Sequence, residues 1–366
     1  MTRYPKAISY WLIIGLVMVF FQVVIGGVTR LTGSGLSITR WEIVTGTLPP
    51  LNADQWEAAF DLYKETPQYE KINEGMDMAS FKFIYFWEYF HRLWARLMGF
   101  VFLVPLLIFW RKGWIDRYLG QRLAVIFILA ALAASFGWIM VASGLIERPW
   151  VNAYKLTLHL GIALSLVAYL FWTLLRVSYP RPVAGTNILP YSGVAWFGGI
   201  LVFQLLLGGV MSGMKAALFY PTWPDMNGLI FPEVLRDLSN YRWAQMVDYD
   251  QGGFAVAIIQ FLHRTTAYVL VFLGIAISGI LLRKSLSRPL YLGTAIWLAL
   301  LFVQVGLGIA TVLNSQGTIP VDLGVYHQAG ALLLMMATLF IGYHGKGDVS
   351  DASFTQEYRK QIPAEA

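Results

Sequence analysis

Eight apolar runs, each long enough to cross a bilayer, constrain this chain of 366 residues more than any other feature. Crossing ~30 Å of hydrocarbon takes ~20 residues at 1.5 Å rise per residue. Such runs are predicted over 9–28, 85–110, 123–143, 156–176, 191–211, 256–282, 290–313 and 325–343. A soluble domain has no interior able to hide them. Hydrophobic residues make up 57% of the chain and charged residues 13%, about half the usual charge of a soluble domain. The mean hydropathy is +0.58. The chain therefore reads as an all-α polytopic membrane protein. Cysteine is absent, which excludes disulfides, zinc–thiolate sites, cysteine-held iron–sulfur clusters and a cysteine nucleophile. The formal charge of +6 calls for no nucleic-acid partner, because basic loops also set membrane topology. The first run has no small-residue cleavage site behind it and is expected to be a retained helix.

Short basic segments fix the expected orientation. Arg3 and Lys6 precede the first run, Arg111, Lys112, Arg117 and Arg122 flank the second turn-around, Arg176 and Arg181 follow the fourth run, and Arg283, Lys284 and Arg288 follow the sixth. The segment after the first run is acidic instead, with Glu42, Asp54, Glu57, Asp61, Glu65, Glu70, Glu74 and Asp77. The positive-inside rule then places both termini in the cytoplasm and the two large loops, about 30–84 and 212–254, outside.

The two halves repeat each other. Phe21-Gln22-Val23-Val24-Ile25-Gly26-Gly27-Val28 answers Phe203-Gln204-Leu205-Leu206-Leu207-Gly208-Gly209-Val210, and Glu88-Tyr89-Phe90-His91-Arg92 answers Gln260-Phe261-Leu262-His263-Arg264. Phe136-Gly137 with Val141 answers Leu307-Gly308 with Val312, and His159 answers His327. Each landmark recurs after roughly 170–180 residues, in order. Four spans per repeat keep both halves in the same orientation, so the expected architecture is two four-helix bundles related by a pseudo-two-fold axis along the membrane normal. The glycine pairs are expected to serve close helix packing.

Four of the five histidines fall on the repeat positions. Each precedes the inner end of its helix by about 17–20 residues, which sets all four ~25–30 Å from the cytoplasmic boundary, near the outer edge of the bilayer. A single intramembrane His can be a hydrogen-bonded packing residue. Four at one depth, two per half, point to ligation, because ionisable groups in lipid are costly. His91 with His159 and His263 with His327 are the predicted metal-ligating pairs. Two facing imidazoles in a helical bundle suit six-coordinate haem iron, whereas zinc wants a third ligand. Arg92 and Arg264 follow a ligand directly, and either pair with haem propionates or snorkel at the interface. His344, without a repeat partner, is expected to be solvated.

One position breaks the repeat. Glu88 lies one helical turn before His91 on the same face, and its counterpart is the neutral Gln260. Glu88 is either an interfacial carboxylate paired with Arg92 or Arg96, or a group that moves protons or stabilises charge beside the first site. The second reading makes the N-terminal half the reactive one.

These residues resemble a family. The stretch from Gly26 to Ser37 (Gly-Gly-Val-Thr-Arg-Leu-Thr-Gly-Ser-Gly-Leu-Ser), Glu88-x-x-His91-Arg92, Gly137-Trp138-x-Met140-Val141-x-Ser143-Gly144-Leu145, His159-Leu160, Gly213-Met214-Lys215-Ala216, the stretch from Tyr220 to Gly228 (Tyr-Pro-Thr-Trp-Pro-Asp-Met-Asn-Gly) and His263-Arg264 are similar to haem A synthases of proteobacteria and mitochondria. Another branch of that family carries a cysteine pair in its first outer loop, which is missing here. The resemblance implies oxidation of the C8 methyl group of haem O to a formyl group, giving haem A for terminal oxidases. It implies that His91 and His159 hold the substrate haem O, that Glu88 assists catalysis, and that His263 and His327 hold a permanent haem b. Residues 1–180 would form the catalytic bundle, 181–344 the haem b bundle and 345–366 a cytoplasmic tail. Implied partners are an electron acceptor, haem O synthase and terminal-oxidase assembly factors, in the bacterial inner membrane. A homo-oligomer is compatible with all of this. The runner-up is a diheme b-type electron-transfer cytochrome, which would use the same four histidines but has no need of the Glu88/Gln260 asymmetry. A secondary transporter is disfavoured because helix breaks at mid-membrane depth are lacking. The segment 220–228, rich in Pro and Trp, is expected to form a rigid lid over the bundle mouth.

Overall fold

The computed structural model describes residues 4–40, 47–145, 149–179, 191–283 and 286–345. Arg3, Glu42, Arg181, Lys284 and the tail after Gly345, all used in the topology argument, lie outside the described residues. Eight helices are long and apolar enough to cross a membrane: α1 (Lys6–Leu31), α4 (Met78–Arg111), α5 (Arg117–Gly144), α6 (Ala153–Ser178), α7 (Tyr191–Gly213), α9 (Gly253–Leu282), α10 (Arg288–Leu313) and α11 (Val321–His344). Shorter helices α2 (Ala53–Lys64), α3 (Pro67–Lys71) and α8 (Trp243–Val247) sit in the two large connections. No strand forms among the described residues beyond an isolated bridge between Met226 and Leu229.

The second span starts two turns earlier than hydropathy predicts, at Met78 rather than 85. Asp77 caps it by accepting from the Ser80 N–H at 2.7 Å. Hydropathy marks membrane thickness, whereas a helix continues as long as its outer turns find something to pack on. Here they find α2. Trp56, Phe60 and Tyr63 recur at helical spacing along α2, and Phe60 and Tyr63 stack on Phe81 with centroids at 4.8 and 5.3 Å. The acidic segment expected to be loop is thus partly helical, its start capped by Asn52 on the Gln55 N–H at 2.9 Å. Gln68 then ties it to the end of α1 by donating to the Gly33 carbonyl at 2.9 Å.

The core is a seam where the two halves meet. α1 packs on α4, α6 and α11, while α6 also packs on α5, α7 and α11. Ile8, Leu12, Val167, Leu170, Phe197, Leu332 and Ile341 are buried there. At one end Arg30 of α1 donates to the Ser212 carbonyl of α7, and Gln328 of α11 donates to the Val23 carbonyl at 2.8 Å. At the other end the Tyr343 hydroxyl donates to the Tyr179 carbonyl. His344 departs from expectation here: it is buried, 1% exposed, with Phe340, Tyr343 and Tyr179 rings at 4.4, 5.1 and 5.4 Å. The helix end folds back onto aromatic neighbours instead of meeting water.

Candidate functional site

All four repeat histidines line one continuous cavity of about 1470 Å³, together with Glu88, Arg92 and Arg264. That exceeds the ~300–1,000 Å³ of a single small-molecule site. The His263 and His327 rings lie edge to face, with centroids 6.4 Å apart and planes at 76°. Two in-line metal–imidazole bonds of ~2 Å each leave ring centroids ~6.3 Å apart, so this pair can take one iron between them. His263 Nδ1 is buried with no hydrogen-bond partner among the described residues. No three His, Asp or Glu side chains converge on a metal-sized site among the described residues.

The glycines make room for these rings. A Cβ on Gly26 would lie 3.1 Å from the His91 ring, one on Gly137 3.0 Å from His159, one on Gly208 3.2 Å from His263, and one on Gly308 2.9 Å from His327. The expected role in helix packing belongs to the second glycine of each pair, Gly27 against Gln328 and Gly209 against Thr157. Each imidazole is therefore seated on a bare patch of the neighbouring helix.

Glutamines hold three of the four, a role the sequence reading missed. Gln22 Nε2 donates to the His91 carbonyl at 3.2 Å and faces the ring Nε2 at 3.0 Å. Gln204 does the same for His263, at 3.0 and 3.3 Å. Gln304 donates to the His327 carbonyl at 2.9 Å, and its own carbonyl lies 3.1 Å from His327 Nδ1. His159 Nδ1 has the equivalent backbone partner, the Ala133 carbonyl at 2.9 Å, but no glutamine. A ring N–H held by a backbone carbonyl fixes the tautomer and turns the other nitrogen toward a metal. The signal was legible as Gln-x-x-x-Gly at Gln22, Gln204 and Gln304, with Ala133-x-x-x-Gly137 as the exception.

Glu88 is 3% exposed. Its Oε2 accepts from the Ser37 N–H, the Ser37 hydroxyl and the Ile38 N–H, each at 2.8 Å, and its Oε1 meets Arg92 Nη2 at 2.5 Å. The pairing with Arg92 anticipated from sequence exists, but it is buried beside the cavity rather than laid on the interface. Gln260, the counterpart, donates to the Tyr220 carbonyl at 2.9 Å. Arg264 binds the same segment through the Tyr220 carbonyl at 3.0 Å and the Asp225 carbonyl at 2.5 Å. Arg92, which also donates to the Ile38 carbonyl at 3.3 Å, and Arg264 thus each fasten a connecting segment beside the cavity in this structure. Between the halves, Arg30 and Lys215 also line the cavity. Burial and then the neighbouring Arg30 push the Lys215 ammonium below its ordinary pKa range.

Fold and site together define a helical membrane protein whose large cavity gathers four histidines, one of them next to a clamped carboxylate. Residues 9–339 match the family described as Cytochrome oxidase assembly protein (COX15-CtaA), and the chain belongs to that family. It is 40% identical over 347 residues to "Heme A synthase" of Nitrosospira multiformis, covering 92% of this chain and 93% of the relative. It is 39% identical over 341 residues to "Heme A synthase" of a Bradyrhizobium species, covering 92% and 91%. It is 40% identical over 334 residues to "Heme A synthase" of Rhodospirillum centenum, covering 90% and 86%.

Proposed function

We propose that this chain is a haem A synthase that oxidises the C8 methyl group of haem O to a formyl group. The observation that carries the reading is the asymmetry at one repeat position. Glu88 is a buried carboxylate held by four donors one turn from His91, while Gln260 merely ties a loop. In this reading 1–180 is the catalytic four-helix bundle, where His91 and His159 hold haem O. Residues 181–344 form the second bundle, related to the first by a pseudo-two-fold axis along the membrane normal. His263 and His327 are spaced to hold a resident haem b there, which when bound supplies one-electron redox chemistry. Two successive oxidations of one carbon release protons as well as electrons, and Glu88, facing the cavity, is placed to accept protons or stabilise developing positive charge. Arg92 pairs with that carboxylate, and the glutamine and glycine contacts orient the imidazoles. Positive-inside topology puts both termini in the cytoplasm and both sites near the outer face of the inner membrane. An electron acceptor, haem O synthase and oxidase assembly factors are the partners this activity calls for.

Haem extracted from cells expressing the chain as their sole copy tests the proposal. Haem A together with protein-bound haem b supports it. Two equivalents of haem b and no haem A would instead make the chain a diheme electron-transfer cytochrome.

A further inference from the structure

The two paired-histidine sites differ below the histidines, toward the membrane interior. Past His263, α9 buries Leu270, Gly274, Ile277, Ser278 and Leu281. Past His91, its counterpart α4 buries nothing, its buried residues being Phe81, Ile84 and Glu88 alone. The reason lies in the neighbouring helix. α9 packs along α10, whereas α4 and α5 scarcely approach each other.

Side-chain size explains the gap. α10 presents Leu301, Gln304 and Val305, and the repeat places Ala130, Ala133 and Ala134 at the same positions of α5. Leu301 presses so closely on α9 that a Cβ on Gly274 would lie 2.3 Å from it. The counterpart of Gly274 is Phe102, but its ring turns to α1 and packs on Trp11 at 5.1 Å, leaving the alanines uncovered. The cavity extends further on the open side. The three alanines and their counterparts Leu301, Gln304 and Val305 all line it, but on α9 it runs only from His263 to Leu270, whereas on α4 it runs from His91 down to Leu103, about 18 Å along the helix. It reaches residues exposed at the surface of the helix array, with Phe100 67% and Phe127 58% exposed.

We propose that the α4–α5 gap, walled by Ala130, Ala133 and Ala134, is a lateral site for the isoprenoid tail of the substrate haem. This inference rests on the proposed activity. Haem O carries a long hydroxyfarnesyl-type chain that haem b lacks, so the site that takes the substrate needs an apolar channel beside its ring pocket. The site that keeps haem b needs that channel shut. The three alanines open the first, and the larger Leu301, Gln304 and Val305 shorten the second. The tail lies toward lipid, which keeps its apolar surface away from water and lets substrate and product pass sideways through the membrane.

The test gives the first half the apolar wall residues of the second, in the variant A130L/A134V. Full-length wild type and variant are each loaded in detergent with haem O or with haem b, and bound haem is extracted and separated by chromatography. The expected result is at least a tenfold loss of haem O binding with haem b binding unchanged. Retention of haem O at the wild-type level overturns the proposal. So does an equal loss of both haems, since that is general damage to the pocket, and so would a lipid acyl chain filling the gap without regard to the tail. If the double variant does not accumulate, Ala134→Leu, at an exposed position, gives the same comparison. A lowered haem O to haem b ratio supports the tail site and an unchanged ratio overturns it. Failure of the parent reading shows elsewhere, as a wild-type chain that takes up no haem O.

Discussion

Ser37 grips Glu88 twice, with its backbone N–H and its hydroxyl each 2.8 Å from the same carboxylate oxygen. The loop after α1 is thereby fastened to the helix that carries His91. Hydrogen bonds to a charged group contribute ~1.5–3 kcal/mol each, so Ser37→Ala should loosen the loop and misplace the carboxylate without removing it. The expected outcome is reduced haem A output with Glu88 still present, and Ser37→Thr should restore much of it. Normal output from Ser37→Ala would mean that the backbone donors alone suffice.

Glu88→Gln separates charge from shape. The amide keeps the side-chain volume and one acceptor oxygen, but Arg92 loses its counter-ion. A buried pair missing one partner costs ~3–5 kcal/mol. Stability should fall measurably, while haem b at His263 and His327 persists. Haem A should disappear from cells relying on this variant, leaving haem O or a partly oxidised form. Wild-type haem A levels there would remove Glu88 from the chemistry.

The second pair answers to spectroscopy. His263→Ala or His327→Ala leaves one axial ligand and should abolish the low-spin haem signal of the resident group while the protein still inserts. An unchanged low-spin signal in both variants would remove the assignment.

Gly308→Ala asks whether the bare helix patch matters. Its new methyl would sit 2.9 Å from the His327 ring, tighter than packed atoms tolerate. Overpacking of this kind costs ~1–3 kcal/mol. The resident haem content should fall, with haem O binding in the first half unaltered. Equal losses at both sites would point to a global defect.

The 222–228 turn should open only in acid. The Gly228 N–H and the Thr222 hydroxyl hold the Asp225 carboxyl below its ordinary value of 3.8. A carboxylate with a depressed folded pKa contributes its stability above the unfolded value and loses it as pH falls through the folded one. Hydrogen exchange across residues 219–228, corrected for intrinsic rates, should stay slow from neutral pH to about pH 4 and rise below it. Exchange that is already fast at pH 7 would contradict this.

The eight spans and the four histidines were legible because membranes impose length and because intramembrane imidazoles are rare. Gln22, Gln204 and Gln304 were missed although they stood in the repeat, since a glutamine in an apolar run announces polarity but not its partner. The helices α2 and α3 were hidden because their apolar positions are aromatic and sit among acids, and only packing on Phe81 makes that pattern pay. Burial of His344 was invisible for a simpler reason. Whether a helix end meets water or an aromatic neighbour depends on how the two halves dock, which no local pattern encodes. Arg92 and Arg264 stood where expected, yet their bonds to Glu88 and to the Asp225 and Tyr220 carbonyls depend on loops whose paths cannot be read from spacing.

The fastening of the halves has a mechanical consequence. Arg30 reaches Ser212 at one end of the seam and Tyr343 reaches Tyr179 at the other, so each end is latched. A rocking transporter must open one end as it closes the other, and a body pinned at both has no hinge for that stroke. Under the proposed function the halves need only pass electrons, and a seam latched in this way would keep the two histidine pairs at one separation while they do.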